Sequence, residues 1–202
     1  MEKRNFQILM ENQINKLESR PSLLLHSCCA PCSTAVLEVL TEHFDVTVFY
    51  YNPNISPESE FLKRAEEQIK YARKLGIDVI VPDYNDGEFF DAVKGLEGEP
   101  EGGARCRACF EQRLDFTAKY AKEHGFDYFT TTLSVSPHKN AEVLNSVCEA
   151  MAEKYGITNL YGDFKKKNGY KRSCELSAAN GLYRQDYCGC VFSKAQRHNT
   201  VL

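Results

Sequence analysis

The sequence predicts an α/β protein built on an open parallel β-sheet with helices on both faces. Three observations predict it. Short apolar or β-branched runs alternate with segments of helical spacing. The first run, SLLLHS (22–27), is as unbroken as a strand buried on both faces requires. No internal repeat or coiled-coil heptad competes. At 202 residues, with 43% hydrophobic and 26% charged, the chain suits one domain with an ordinary core.

Residues 1–20 read as a helix on the outside of the molecule, and 22–27 as the first strand. STAVLEVLTEHF (33–44) follows as a helix, with Val36, Val39, Leu40 and Phe44 near one face. DVTVFYY (45–51) is β-branched and aromatic, hence a second strand. NPNISPES breaks the chain; Ser56 is placed as an N-cap and Pro57 at the first position of a helix running to about residue 75. Phe61, Ala65, Ile69 and Ala72 keep helical spacing there, and Gly76 stops it. IDVIVPD (77–83) is a third strand, DGEFFDAVKGL (86–96) a short helix and EGEPEGGA (97–104) a loop. A helix runs on to about His124, stopped by Gly125; DYFTTTLSV (127–135) is a fourth strand and SPHKN (136–140) a turn. AEVLNSVCEAMAEKYG (141–156) is a helix, TNLYGDF (158–164) a short fifth strand and CELSAANGLY (174–183) a last helix. The expected organisation is a single domain over 1–202: an N-terminal helix (1–20), the sheet core (22–164), and a basic loop with a cysteine-bearing C-terminal segment (165–202).

The formal net charge of −3 excludes a molecule that is basic all over, although FKKKNGYKR (164–172) carries five positive charges and ARCRACFEQR (104–113) three. Such runs suit either a solvated loop or contact with phosphates. No apolar stretch approaches 18 residues and no secretory leader is visible, so a cytoplasmic protein without a membrane partner is expected.

That compartment makes the nine cysteines informative. Disulfides are rare there, and an odd number cannot all pair. Cys148 shares a helical stripe with Leu144 and Met151 and reads as core; Cys174 reads as structural. The rest form three groups: Cys28, Cys29 and Cys32; Cys106 and Cys109; Cys188 and Cys190.

Ligands of open parallel sheets bind beyond the carboxyl ends of the strands. Cys28 and Cys29 end the first strand, Tyr51 and Asn52 the second, Asp83 the third, and Ser134, Ser136 and His138 the fourth. The first loop, HSCCAPCST, has no glycine to let a phosphate approach the backbone, which argues against dinucleotide or ATP binding there. Thiolates instead bind zinc or iron–sulfur clusters. C-x-x-C at 106–109 opens a helix, whose dipole favours thiolate, and C-x-C at 188–190 has the period of a strand, with both sulfurs on one side. Adjacent Cys28 and Cys29 diverge in extended backbone, which suits two metal atoms better than one. Six paired thiols exceed the four of a structural zinc. Two other readings stay open on residues alone: a zinc-braced RNA-binding module without turnover, and a thiol–disulfide oxidoreductase using Cys29 and Cys32 of CAPC.

Together, HSCCAPC, YYNPNI, RCRACFEQRL, SVSPHKN and RQDYCGC, in this order over about residues 22–193, resemble the QueH family of epoxyqueuosine reductases. The resemblance implies a Rossmann-like fold similar to the PP-loop (adenine nucleotide alpha-hydrolase) group, with SCCAPCS standing where PP-loop relatives carry the Gly-rich SGGxDS. It implies reductive deoxygenation of epoxyqueuosine in tRNA to queuosine, the last step of queuosine biosynthesis. It further implies a [4Fe–4S] cluster beside a second, mononuclear iron, no cobalamin, and an external electron donor. On this reading Cys28, Cys29, Cys106, Cys109, Cys188 and Cys190 divide between cluster and second iron, with Asp186 as an oxygen ligand and Cys32 a helical turn away, capping or packing. Asp186, Tyr187 and His138 are the expected proton-handling residues. Arg105, Arg107, Arg113, Lys139 and the 165–172 loop are expected to hold anticodon-loop phosphates around an unstacked base.

Overall fold

The computed structural model describes residues 4–198; the first three residues of the expected N-terminal helix and the last four of the expected C-terminal segment lie outside the described residues. The strands are β1 (Ser22–His26), β2 (Asp45–Phe49), β3 (Val79–Ile80), β4 (Tyr128–Thr131) and β5 (Thr158–Asn159). The helices are α1 (Phe6–Ile14), α2 (Ala30–Leu40), α3 (Glu58–Lys74), α4 (Gly87–Ala92), α5 (Ala104–Glu123), α6 (Ala141–Tyr155), α7 (Gly169–Ala179) and α8 (Val191–His198). All strand pairs are parallel, in the order β3-β2-β1-β4-β5. The expected α/β architecture is therefore the observed one.

β1 organises the sheet because its side chains alternate between two buried faces. Leu23 and Leu25 join Val36, Leu37 and Leu40 of α2, with Tyr71 and Ala72 of α3. Leu24 points the other way, to Phe49, Phe129, Leu114 and Ala118 of α5, and Leu144 and Val147 of α6. Cys148 lies buried in this second layer, as its stripe with Leu144 predicts. Val39, expected on the buried face of α2, is exposed, and Leu37 takes its place.

The chain moves outward from β1 through β2 to β3, then returns to the other side of β1 as β4. The strand order thus reverses between β1 and β4, and the crevice at their carboxyl ends is the ligand-binding place of such sheets.

Several local expectations change. α1 covers Phe6–Ile14 of the expected 1–20, and β2, β3 and β5 are shorter than the expected 45–51, 77–83 and 158–164. The fourth strand is shorter than 127–135: the Thr131 hydroxyl accepts the Leu133 amide at 3.1 Å and turns residues 132–135 into a 3-10 turn. α3 begins after Pro57 rather than under a Ser56 cap, because the Ser56 amide donates to the Gly189 carbonyl at 3.1 Å. α7 starts at Gly169, inside the basic run, and packs along α2. The segment after Cys190 is helical (α8), and the C-x-C is a loop with Gly189 at φ +124°, not a strand.

Candidate metal centre

Two groups of thiols gather at the reversal point. All nine cysteines are free. The first group is made by one turn of chain. β1 ends at His26, the backbone runs extended through Cys29 as the N-cap of α2, and Pro31 opens the helix. Cys32 therefore sits in the first turn of α2, over the loop. The sulfurs of Cys28, Cys29 and Cys32 lie within 4.8 Å of one another, with Cys28 and Cys29 Sγ 3.8 Å apart. Two expectations are corrected here: Cys28 and Cys29 do not diverge, and Cys32 is not a turn away from the centre. The Cys28 amide donates to Thr132 Oγ1 at 3.3 Å, fixing the loop to the end of β4.

Buried polar groups brace this turn. Ser27 Oγ donates to Gln68 Oε1 at 2.7 Å, and Gln68 Nε2 to Ser33 Oγ at 3.2 Å. His26 bridges Thr131 Oγ1 (2.8 Å) and the Tyr51 carbonyl (3.1 Å); burial lowers its pKa to about 3, so the ring is neutral. Hydrogen bonds from Cys29 and Cys32 pull the Cys28 thiol down. The bond to Cys28 pushes Cys29 up to about 12 and raises Cys32 as well. Three thiols this close share one negative charge unless a cation sits among them.

The second group lines a cavity of about 390 Å³, within the range of small-molecule sites. Cys106 and Cys109 reach it from the first two turns of α5, and Cys188 and Cys190 from the loop before α8. Burial raises the thiols of Cys106, Cys109 and Cys190, the last two to about 11 and about 12. Backbone amides point at two of the sulfurs: Gly102 N at Cys106 Sγ (3.2 Å) and Ser193 N at Cys190 Sγ (3.3 Å). Among the described residues only the 28/29/32 group packs three sulfurs within 4.8 Å; the cavity sulfurs stand further apart.

Besides local hydrogen bonds such as Cys188 N to Ser193 Oγ at 3.2 Å, tertiary contacts hold the C-terminal loop. Arg64 Nη1 donates to the Cys188 carbonyl at 3.3 Å, its guanidinium lies 5.1 Å from the Tyr187 ring centroid, and its Nε pairs with Glu60 at 2.7 Å. Arg105 is only 2% exposed; it donates to the carbonyls of Glu97 (2.7 Å) and Glu99 and covers Phe192.

Arg113 joins the two groups. It is 1% exposed; Nη1 reaches Cys109 Sγ at 3.9 Å and Nη2 donates to Asn52 Oδ1 at 2.5 Å. Asn52 Nδ2 in turn donates to the Ser27 carbonyl at 2.9 Å, directly before Cys28. Arg105 and Arg113 are therefore buried, with their guanidiniums turned to carbonyls, Asn52 and sulfur rather than presented on the surface as their expected phosphate contacts require. Arg107, exposed on the cavity wall, remains available for that contact.

His138 and Lys139 also line the cavity. Burial alone would lower the Lys139 ammonium, but the nearby thiols of Cys188, Cys28 and Cys32 outweigh it and keep Lys139 protonated. Asp186 and Tyr187 do not line the cavity: Asp186 is exposed, with its carbonyl accepting from Arg197 at 3.0 Å, and Tyr187 packs against Arg64. Arg64 and Gly189 have no role in the sequence reading, and Asn52, placed there at the binding edge of the sheet, had no partner assigned. The available signal was the Cys109–Arg113 spacing of four, which puts both on one helix face.

Comparison with known proteins identifies the family. Residues 23–196 match the family described as epoxyqueuosine reductase QueH. A Staphylococcus epidermidis protein named epoxyqueuosine reductase QueH is 44% identical over 203 residues, covering 95% of this chain and 85% of that protein. One of the same name from Streptococcus pyogenes is 46% identical, covering 86% of this chain and 71% of the relative. The U34-tRNA thiolase NcsA from Methanococcus maripaludis, solved with its [4Fe-4S] cluster, superposes with a TM-score of 0.59. At 12% identity, covering 96% of this chain and 69% of the thiolase, that likeness speaks to the fold alone. Parallel sheet, thiols at its reversal point and a family match over nearly the whole length lead to one conclusion: the chain belongs to the QueH family.

Proposed function

We propose that this protein reduces epoxyqueuosine in tRNA to queuosine, with an iron–sulfur centre held by its own cysteines. The observation that carries the reading is the meeting of seven free thiols, from three distant stretches of chain, at the crevice where PP-loop relatives would have a glycine-rich loop. The donor set fits the group. Four soft ligands line one cavity, two of them already accept backbone amides as cluster thiolates do, and three more gather beside them.

Cys106, Cys109, Cys188 and Cys190 would hold a [4Fe–4S] cluster, and Cys28, Cys29 and Cys32 the second iron. When bound, these supply electrons singly and a Lewis acid. This assignment includes Cys32 and leaves out Asp186, which faces solvent. The spread of the four cavity sulfurs favours a polynuclear centre over a zinc knuckle, which draws its ligands around one ion. A thiol–disulfide exchange enzyme is disfavoured because Cys29, its required nucleophile, is 1% exposed.

In the overall reaction both C–O bonds of the epoxide break and a C=C bond forms. Two electrons and two protons are consumed and water leaves. The chain's part is to bring the protons and to keep bulk water out. We assign this part to His138 and Lys139, which both line the cavity. Exposed Arg107 and Lys166 are placed to meet phosphates of the tRNA, with the modified base unstacked into the cavity. Among the described residues no helix is long and apolar enough to cross a membrane. Free thiols throughout support a cytoplasmic setting. The two electrons consumed require an external donor.

The test is turnover. Anaerobically reconstituted protein, epoxyqueuosine-containing tRNA and a low-potential reductant should yield a nucleoside lighter by one oxygen in mass spectra of the digested tRNA. Unchanged epoxyqueuosine with a fully loaded protein would remove the proposal.

A further inference from the structure

Arg113 presents a problem that the proposed reaction leaves unsolved. A guanidinium cannot shed its proton in a protein, and burying it without a compensating charge is expensive. Buried arginines are therefore almost always paired with carboxylates. Arg64 follows that rule, with Glu60 at 2.7 Å. Arg113, at 1% exposure, has no carboxylate partner among the described residues. Its hydrogen bonds go to a neutral amide, Asn52 Oδ1, and to a sulfur, Cys109 Sγ, while its Nε has no partner. The groups around it that can carry a compensating negative charge, once they are thiolate ligands, are sulfurs: Cys109 Sγ at 3.9 Å, with Cys188 and Cys28 nearby.

These three sulfurs belong to both thiol groups. Cys109 lies one helical turn before Arg113 on α5 and belongs to the cavity group with Cys188. Cys28 belongs to the other group and is tied to Arg113 through Asn52 and the Ser27 carbonyl. A fixed positive charge beside thiolate ligands favours whichever state of the centre is more negative, and that is the reduced one. Hydrogen bonding and local charge are the levers that set the potentials of iron–sulfur centres.

We propose that Arg113 is the resident counter-charge of the thiolate centre, a positioning residue that raises its reduction potential and holds the two sulfur groups in register. The inference rests on the iron–sulfur reading of the site. It assigns Arg113 a role that contact with tRNA cannot explain, because no surface of the residue is open to a nucleic acid.

The test is an anaerobic redox titration of the reconstituted protein, followed by EPR, in the wild type and three variants. Arg113→Gln removes the charge and should move the cluster potential to more negative values by at least 59 mV, a tenfold change in the one-electron equilibrium. Arg113→Lys keeps the charge and should recover at least half of that shift, even where the lost fork lowers the yield of loaded protein. Asn52→Asp leaves the guanidinium in place but sets a carboxylate against it, and should shift the potential in the same direction as Arg113→Gln. Asn52→Asp also decides the matter where Arg113→Gln does not retain its cluster. If Arg113 were only a strut, the variants would lose loaded protein but leave the potential of the remainder unchanged. That result in Arg113→Gln, or in Asn52→Asp, overturns the inference. Equal shifts for Arg113→Lys and Arg113→Gln do so as well. Failure of the wild type to take up iron and sulfide would instead strike the functional reading beneath it.

Discussion

The two thiol groups on either side of Arg113 are built in opposite ways. Cys28, Cys29 and Cys32 are placed by five consecutive residues: a strand end, an extended N-cap and the first turn of a helix. Their supports are buried and hydrogen-bonded: Ser27, Gln68 and Ser33 to one another on the α2 and α3 side, and His26 to Thr131 and the Tyr51 carbonyl. The cavity group draws Cys106 and Cys109 from the start of α5 and Cys188 and Cys190 from a loop much later in the chain. That loop has no regular structure; Arg64, the Ser56 amide and a glycine at φ +124° hold it. The lesson is that the first group should form wherever the sheet forms, whereas the second exists only when the C-terminal loop is docked.

The largest effects should come from the sulfurs themselves, and they test whether both halves are needed. Cys28→Ser, Cys32→Ser and Cys109→Ser are each expected to lower turnover by more than about 100-fold, since even outer-sphere partners of metal ligands cost 10–100-fold. Melting of the metal-free protein should move by no more than about 3 °C. Wild-type turnover in Cys32→Ser would reduce the local group to a pair.

Next come the fastenings of the loop. Arg64→Met leaves Glu60 without its partner and releases the Cys188 carbonyl, and should cost roughly 3 kcal/mol in denaturant unfolding. Gly189→Val, whose Cβ would stand 2.9 Å from Ile55 Cγ1 and 3.2 Å from Arg64 Nη1 at a left-handed φ, should cost about 1–3 kcal/mol. In both, iron uptake by the cavity group should fall while metal binding at residues 28–32 persists. Equal loss at both groups would show that the first is no more autonomous than the second.

The reciprocal change on the local side is milder. Gln68→Leu removes one hydrogen bond from each of Ser27 and Ser33, which keep their bonds to the Cys29 and Ala30 carbonyls, and should cost about 1–2 kcal/mol by thermal melting, with iron stoichiometry preserved.

Much of the local half was legible in sequence. SLLLH announces a doubly buried strand, and the cysteines that follow it inherit the sheet's binding edge. What misled was treating Cys28 and Cys29 as continuing the strand's alternation. The N-cap at Cys29 ends that alternation, and Cys32, in the helix's first turn, closes the triad. The distant half was legible only as composition. C-x-C suggested a strand, but Gly189 adopts a conformation that strands do not, and nothing in RQDYCGC names Arg64 as its clamp. Charge was misread for the same reason. Arg105 and Arg113 count as basic residues in any tally, but helical position turns them inward, toward carbonyls and sulfur.

The smallest expected effect concerns the basic run, and it separates structural from substrate-facing lysines. Lys165 Nζ is already engaged with Asp163 at 2.5 Å and the Ser134 carbonyl at 3.3 Å, so Lys165→Glu should act on stability. Exposed Lys166→Glu should weaken tRNA binding about threefold at low salt, fading as salt rises, by filter binding or fluorescence anisotropy. Unchanged affinity at both salt concentrations would take α7's leading loop out of the interface.

Quantifying metal and acid-labile sulfide after anaerobic reconstitution tests the central claim most directly. A cluster in the cavity group and a second iron at residues 28–32 predict about five irons and four sulfides per chain, in brown protein with a cluster EPR signal on reduction. Colourless protein holding zinc tightly, with no sulfide, would contradict the account.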